Sequence, residues 1–102
     1  MDILIQELKN ELNITWTDDD TDSKLKRIIR NGQAYLNEKA GIELDYNQNF
    51  IANQLLMDYG RYAYNLSLEL FELNFRRQLL SLAINEGVKA RASTKEDTET
   101  SP

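Results

Sequence analysis

The sequence predicts an all-α protein, a small bundle of about four helices with a flexible loop and a disordered C-terminal tail. Apolar residues recur at spacings of three, four and seven, which is the period of a helix buried on one face. One proline and four glycines leave few helix breakers in 102 residues. That length corresponds to one domain with a single modest core. We therefore divide the chain into a helical domain at 1–87 and a flexible tail at 88–102.

The first two helices are predicted from their apolar positions and their end signals. Helix one spans 2–12 with Asp2 as a plausible N-cap, and its stripe consists of Ile5, Leu8 and Leu12. Helix two spans about 18–40 and ends at Gly41, because glycine is the favoured residue just after a helix. Its apolar positions are Leu25, Ile28, Ile29, Tyr35, Leu36 and Ala40.

The segment 41–49, GIELDYNQN, is predicted to be a loop because asparagine, aspartate and glycine favour turns. Its alternation of Ile42, Leu44 and Tyr46 would suit a strand if a partner were available. Helix three follows at about 50–64. Its main apolar face is predicted to contain Ile51, Ala52, Leu55, Leu56, Tyr59, Tyr62 and Ala63.

The fourth helix is predicted from a break at 65–67 to about residue 86, with Gly87 as its stop. At 100° per residue it carries two apolar stripes on opposite sides, each within about 40° of its centre. One stripe contains Leu66, Leu70, Leu73, Leu80 and Ile84. The other contains Leu68, Phe71, Phe75, Leu79 and Leu82.

Two interpretations of these stripes remain open. The helix either lies at the centre of the bundle, covered on both sides, or turns one stripe toward a neighbouring subunit. Arg77 interrupts the first stripe, and arginine is enriched in interfaces and rarely buried alone. The candidate subunit interface is therefore the leucine stripe, defined as Leu66, Leu70, Leu73, Arg77, Leu80 and Ile84.

A second candidate interface is the row of Phe50, Met57 and Tyr64, which recur every seven residues off the main face of helix three. These side chains either shield the loop and the termini or form a second docking strip. The sequence leaves both interpretations open.

The acidic stretch DDDTD resembles the start of a calcium-binding loop. Asp18, Asp20 and Asp22 match the first three EF-hand ligands, but Ser23 stands where glycine is needed and Ile29 where a bidentate glutamate is needed. Acids in a first turn instead favour the positive end of the helix dipole. The stretch is therefore predicted to cap helix two.

Trp16 stands just before that cap and can pack on helix one or helix two. If its ring lies in the core, a Trp16→Ala change would cost about 3–5 kcal/mol.

The composition excludes most catalytic and metal chemistry. With no cysteine and no histidine, the chain lacks the commonest thiolate and imidazole groups. It also has no glycine-rich phosphate loop and no Ser-His-Asp set. We expect no catalytic residues, no metal site and no cofactor. No run has the length of a membrane helix, and the acidic start MDILIQEL does not resemble a signal peptide. We therefore expect a soluble protein without membrane contact that is made and used, or assembled, inside a cell.

The charge is arranged in blocks. Residues 1–23 carry seven acids and one base, and residues 24–39 carry five bases and one acid. The overall charge of −5 argues against non-specific nucleic-acid binding as the main activity. The basic face of helix two is either a solvated surface or a contact for an acidic partner or passing DNA. It consists of Lys24, Lys26, Arg27 and Arg30.

Two long segments resemble a known family. WTDDDTDSKLKRIIRNGQAYLNEKAG and LLMDYGRYAYNLSLELFELNFRRQLLSL are similar to the adaptor, or head completion, proteins of the head-to-tail connector in long-tailed siphophages. The likeness extends from helix one to about residue 86, and the length and sequence resemble those of such proteins from siphophages of Gram-positive bacteria. In this family an aspartate-rich entry leads into a long helix ending in glycine, and a tyrosine-containing helix precedes an F…F helix.

This resemblance implies a virion protein that reaches the connector from the host cytoplasm during assembly. It implies a helical bundle without enzymatic activity that joins the portal protein after DNA packaging. It also implies a twelvefold ring of the chain itself, which extends the channel for passing DNA and offers a platform for a stopper or tail-completion protein.

We expect the 41–49 loop and the tail from about residue 88 to dock on the portal, since flexible segments can order on a partner. The residues concerned are Ile42, Leu44, Tyr46, Val88, Lys89 and Arg91. The alternative function is that of a small helical regulator that binds DNA or another protein. An enzyme is the third and weakest possibility.

Overall fold

The computed structural model describes the backbone of residues 2–100 and the side chains of residues 3–89. These residues form an all-helical fold with five helices and no strand, so the strand considered for 42–46 does not form. The helices are α1 (Asp2–Glu11), α2 (Asp19–Ala40), α3 (Phe50–Tyr64), α4 (Leu68–Asn74) and α5 (Arg76–Thr100).

The ends of α2 lie where the sequence predicted them. Asp18 is the N-cap, and its Oδ2 accepts hydrogen bonds from the backbone N–H and the hydroxyl of Thr21 at 3.0 and 2.9 Å. Gly41 closes the helix with a left-handed φ of 76° and donates its N–H to Asn37 O. A side chain at that φ would be strained, which explains why glycine ends this helix.

The core is built around α2, which packs against α1, α3 and α5. Two close helix crossings depend on glycine. A Cβ on Gly32 would lie 2.7 Å from Leu56 Cδ1 and 2.8 Å from Tyr59 Cδ1, and a Cβ on Gly60 would lie 2.5 Å from Leu8 Cδ1. The largest fully buried side chains are Leu8, Leu25, Ile29, Leu36, Leu56 and Phe71.

An aromatic cluster joins α2, α3 and α4 beside this aliphatic core. Phe71 is central, with its ring centroid 4.9–6.0 Å from those of the other four rings. Most pairs meet edge to face, the geometry that the ring quadrupole favours. The members of the cluster are Tyr35, Tyr59, Tyr62, Phe71 and Phe75.

The predicted fourth helix is interrupted at Phe75, so the described residues hold α4 and α5 in its place. Phe75 leaves helical geometry at φ −113° and ψ 18°, yet its N–H still bonds Phe71 O at 2.9 Å. Its ring stacks on Phe71 at 4.9 Å and meets Tyr62 edge to face. The helix is therefore interrupted at the residue whose ring joins the aromatic cluster. Because these ring contacts involve α3 as well as α4, the helical period of the sequence could not predict the interruption.

The prediction that Gly87 ends this helix is wrong, because α5 continues through it to Thr100. A glycine inside a helix costs only about 1 kcal/mol relative to alanine. The segment that follows, VKARASTKEDTET, contains good helix formers such as alanine, lysine, arginine and glutamate. The backbone of 88–100 is therefore helical where we predicted a disordered tail.

Two apolar side chains assigned to packing are largely outside the core. Trp16 is 51% exposed, and its indole N–H reaches only the hydroxyl of Thr21, at 3.5 Å. Ile51, placed on the main face of helix three, is also exposed. Both lie near helix starts, at the edge of the packed core.

Candidate assembly surfaces

The leucine stripe lies on the outer side of α4 and α5. Leu70, Leu73, Leu80 and Ile84 are all exposed, and so is Arg77. The opposite stripe supplies the buried side chains Phe71, Leu79 and Leu82, together with the half-buried Phe75; only its Leu68 is exposed. The bundle therefore covers one stripe and leaves the other exposed, so the interpretation in which both sides of the helix are covered does not hold.

Leu66 begins the stripe on a strained backbone. Its φ is 57°, a left-handed conformation that costs a residue with a Cβ about 1–2 kcal/mol. This left-handed residue ends α3 in a Schellman motif. Ser67 N–H donates to Tyr62 O at 2.8 Å, and Leu66 N–H donates to Ala63 O at 3.1 Å. Glycine or asparagine is usual at this position, yet here stands a leucine that is 83% exposed. This position therefore combines backbone strain with an exposed apolar side chain, a combination that marks it as a candidate contact residue.

Charged residues border the stripe on the side toward α2. Lys39 Nζ lies 2.9 Å from Glu72 Oε1 and joins the end of α2 to α4. The hydrogen bond with Lys39 lowers the pKa of the Glu72 carboxyl, and the same bond raises the pKa of Lys39. Arg76 lies near this pair, and Arg77 lies between Leu73 and Leu80.

The row of Phe50, Met57 and Tyr64 does not form a surface. Met57 is only 2% exposed and belongs to the core. Tyr64 is half-buried beneath Lys24, whose Nζ lies 4.9 Å from the ring centroid. Phe50 alone is open, at 80% exposure. The second docking strip is therefore a wrong prediction, because α1, α2 and α4 surround the middle of α3.

The 41–49 loop is pinned rather than flexible. Asn37 Oδ1 accepts hydrogen bonds from Leu44 N–H at 3.1 Å and from the hydroxyl of Tyr46 at 2.7 Å. Burial raises the pKa of Tyr46 far above its ordinary value. Leu44 and Tyr46 are buried, which contradicts their prediction as exposed docking residues for a portal. Ile42 packs only partly against the core, and its docking stays a prediction. Leu44 and Tyr46 are anchors that hold the loop on α2.

The predicted docking residues of the tail fall partly within the described side chains. Val88 is exposed, and Lys89 is exposed with its Nζ 3.4 Å from Glu86 Oε1. Arg91 lies outside the residues whose side chains are described.

The basic face of α2 is open to solvent. Lys24, Lys26, Arg27 and Arg30 are exposed, and none of them makes an ion pair with another described side chain. Lys24 turns toward Tyr64, so the accessible cations are the other three. They occupy about one turn of helix and form a compact positive patch.

A groove that the sequence did not reveal lies between the 41–49 loop, the start of α3 and α5. Glu86 at its base is 6% exposed, and its Oε1 accepts hydrogen bonds from Asn49 Nδ2 at 3.2 Å and Lys89 Nζ at 3.4 Å. Phe50 and Ile51 form its exposed apolar rim. The one available signal was a glutamate at the angle of the core stripe, four residues after Leu82. Other lining residues are Ile42, Glu43, Leu44, Asp45, Gln48, Leu82 and Asn85.

The aspartate-rich entry behaves as a helix start. Besides the cap at Asp18, Asp22 Oδ1 pairs with the buried Lys9 Nζ at 2.6 Å and so ties α2 to α1. Across the described part of the chain, no cluster of three or more acidic, histidine or cysteine side chains is arranged to hold a metal ion. Within the same part, no helix combines the length and apolarity that a membrane span requires.

Comparisons with protein-family models, with curated proteins and with solved structures produced no match to this chain.

Proposed function

We propose that this chain is a structural adaptor of a phage head-to-tail connector. In this role it binds the portal after DNA packaging as a ring of copies, extends the DNA channel and provides a platform for the stopper or tail. The observation that carries the proposal is the exposed leucine stripe on α4 and α5. A row of exposed leucines along one side of a small protein favours association with a partner surface.

The resemblance of the sequence to connector adaptors is the reason for naming the phage connector as the assembly. The exposed leucine stripe supports only the more general proposal that the chain binds another protein surface. The stripe begins at Leu66, which is exposed on a left-handed backbone, and ends at the exposed Ile84. The proposal assigns no catalytic step and no cofactor to the chain.

The portal contact belongs to the C-terminal part of the chain in this proposal. With Leu44 and Tyr46 buried, the available residues are Val88 and Lys89, with Arg91 beyond the described side chains. The segment from Val88 onward, which continues α5 beyond the domain at 1–87, docks on the portal in this proposal.

The test is co-sedimentation with portal particles of the phage that encodes the chain. The wild-type chain is expected to co-sediment and to form rings visible by electron microscopy. Leu80→Glu is expected to lose the rings, because it places a charge in the middle of the stripe. Gln6→Glu adds the same charge at an exposed position of α1, away from the stripe, and is expected to keep them. Failure of the wild-type chain to bind the portal would contradict the proposal.

One observation favours a second candidate, a small helical regulator that binds DNA. Lys26, Arg27 and Arg30 form an exposed patch without acidic partners among the described side chains. Such a protein would bind duplex DNA with an affinity that falls steeply with salt. The adaptor requires at most weak contact with passing DNA, without sequence specificity. Fluorescence anisotropy with a labelled duplex at low salt separates the two, because the regulator binds it and the adaptor does not bind stably.

A further inference from the structure

The centre of the leucine stripe is positively charged as well as apolar. A shallow surface pocket there is lined by Leu73, Arg76, Arg77 and Leu80, together with the neutral Asn74 and Gln78. Its two arginines contribute +2. The adjacent pocket, which shares Leu73, Arg76 and Leu80, adds Lys39 with the acids Glu69 and Glu72, so the two pockets together carry a net charge of +1. A surface that fits it must therefore offer apolar side chains and negative charge together.

The groove offers that combination. Phe50 and Ile51 provide exposed apolar area on its rim. Its charged lining is Glu43, Asp45, Glu86 and Lys89, three acids and one base, which amounts to −2. Glu86 is already fixed by Asn49 and Lys89, so part of this negative charge is pre-organised.

The two surfaces point in different directions. Arg77 in the stripe and Leu82 in the groove are five residues apart on α5, which places them about 140° apart around the helix axis. One copy can therefore use both surfaces at once, each with a different neighbour. A head-to-tail contact between unlike surfaces generates a ring if its rotation closes.

The stripe could instead pair with itself, and its spacing allows this. The positions 66, 70, 73, 77, 80 and 84 are symmetric about residue 75, so an antiparallel pair would match Leu70 with Leu80 of its partner. Such a pair brings Arg77 of both copies close to the two-fold axis, because this residue is only two positions from the centre of symmetry. The two guanidinium groups repel one another there, whereas the groove presents the opposite charge. Charge complementarity thus favours the groove.

We infer that the groove of one copy binds the centre of the leucine stripe of the next copy, head to tail. This inference rests on the proposed ring and names the two surfaces that build it. Each patch has fewer residues than the 20–30 per side of a typical stable interface. The contact is therefore weak between free copies and is populated when a template such as the portal aligns them.

The chain has no cysteine, so engineered thiols report this contact directly. ¹⁵N-labelled Leu80→Cys is mixed with unlabelled Ile51→Cys at about 1 mM, where a contact with a millimolar Kd is populated. After oxidation, mass spectrometry is expected to find mainly the mixed disulfide. A mixture of labelled Leu80→Cys with Arg27→Cys, also an exposed position, is the matched control. The inference is overturned if the Ile51 mixture does not exceed this control, or if Leu80→Cys mainly pairs with itself.

Charge reversal provides a second test. Arg77→Glu in the Leu80→Cys copy is expected to lower the yield of the mixed disulfide about tenfold, as for loss of a close interfacial charge pair. Glu43→Arg in the Ile51→Cys copy is expected to restore it. Arg27→Glu carries the same change of charge outside both surfaces and is expected to leave the yield unchanged. A yield that is insensitive to Arg77→Glu, or that Glu43→Arg does not restore, contradicts the inference.

Repeating the oxidation on portal particles separates this inference from the proposed function. Rings on the portal without the mixed disulfide would overturn the head-to-tail contact and leave the adaptor function intact. The mixed disulfide in free solution, without any portal binding, would support the contact and contradict the adaptor function.

Discussion

The hydroxyl of Tyr46 donates a hydrogen bond to Asn37 Oδ1 over 2.7 Å and fastens the 41–49 loop to α2. The same oxygen accepts the backbone N–H of Leu44 at 3.1 Å. One asparagine thus satisfies two donors of a loop that the sequence predicted to be flexible. The loop contributes two buried side chains to the core and holds one wall of the groove.

Asn37→Ala is expected to lower the free energy of unfolding by about 1–3 kcal/mol, because it leaves the part-buried N–H of Leu44 without its acceptor. The hydroxyl of Tyr46 keeps only the carbonyl oxygen of Gln33, at 3.1 Å. Urea unfolding monitored by circular dichroism measures this loss. Asn31→Ala, at an exposed position of the same helix, is expected to change stability by less than about 0.5 kcal/mol. Equal stability of the two variants would show that the loop does not depend on Asn37.

Gly32→Ala and Gly87→Ala are expected to have opposite effects. A Cβ at Gly32 meets Leu56 and Tyr59 at 2.7 and 2.8 Å, so this variant loses about 1–3 kcal/mol of stability through overpacking. A Cβ at Gly87 meets nothing within 4 Å inside α5, so alanine there should add about 0.5–1 kcal/mol. Thermal unfolding of the two variants measures these changes in stability. A stabilised Gly32→Ala variant would contradict the close crossing of α2 and α3.

Leu66→Gly is expected to increase the stability of the fold and to weaken the assembly of rings. Glycine relieves the left-handed strain at φ 57° and should raise the free energy of unfolding by about 1 kcal/mol. It also removes an exposed apolar side chain of the stripe, so rings on the portal should weaken. Asn13→Gly, at φ 59°, is the control with a smaller gain, because asparagine tolerates this conformation. A destabilised Leu66→Gly variant would mean that the leucine side chain supports the fold itself.

Stability is expected to fall at alkaline pH because of the tyrosines. Burial raises the pKa values of Tyr46, Tyr59 and Tyr35 in the folded chain. The unfolded chain loses these protons near pH 10 while the folded chain keeps them. The stabilisation is therefore complete below about pH 10 and is lost as the pH rises through the folded values.

Denaturant unfolding between pH 8 and 12 measures this trend. Tyr46→Phe should be less stable at neutral pH, since it loses the hydrogen bond to Asn37, and less sensitive to alkali. A wild-type stability that stays constant above pH 10 would contradict the burial of these hydroxyls.

Trp16→Ala is expected to cost about 1–2 kcal/mol instead of the 3–5 expected of a core ring, because half of the side chain remains in water. Thermal unfolding measures the difference. A loss of about 3–5 kcal/mol would mean that the ring is more completely packed than its exposure indicates.

Features of this fold that depend on residues close together in the sequence were predicted correctly more often than features that depend on tertiary packing. The bounds of α3 and the caps of α2 were predictable because a cap involves residues within one turn of each other, such as Asp18 with Thr21. Gly41 and Gly87 looked alike in sequence, yet only Gly41 adopts a left-handed φ. The difference depends on what the following segment packs against, which no local pattern contains.

The candidate surfaces were only partly predictable for the same reason. The two stripes of the fourth helix were visible in the sequence, and the exposed one contains Arg77 as expected. Met57, by contrast, looked like an outer residue and is buried. The groove brings together Glu43, Phe50 and Glu86, which are far apart in the chain, so no sequence window could show it.

By itself, the sequence determined that the chain is helical, where α2 and α3 begin and end, and that thiol and imidazole chemistry is absent. These properties depend on composition and on contacts within a turn of helix. Only the tertiary structure decided which stripe is buried, that the loop is anchored by Asn37, and that a negative groove lies apart from a positive stripe. Burial and groove formation arise from elements that are distant in sequence and meet only when the chain packs.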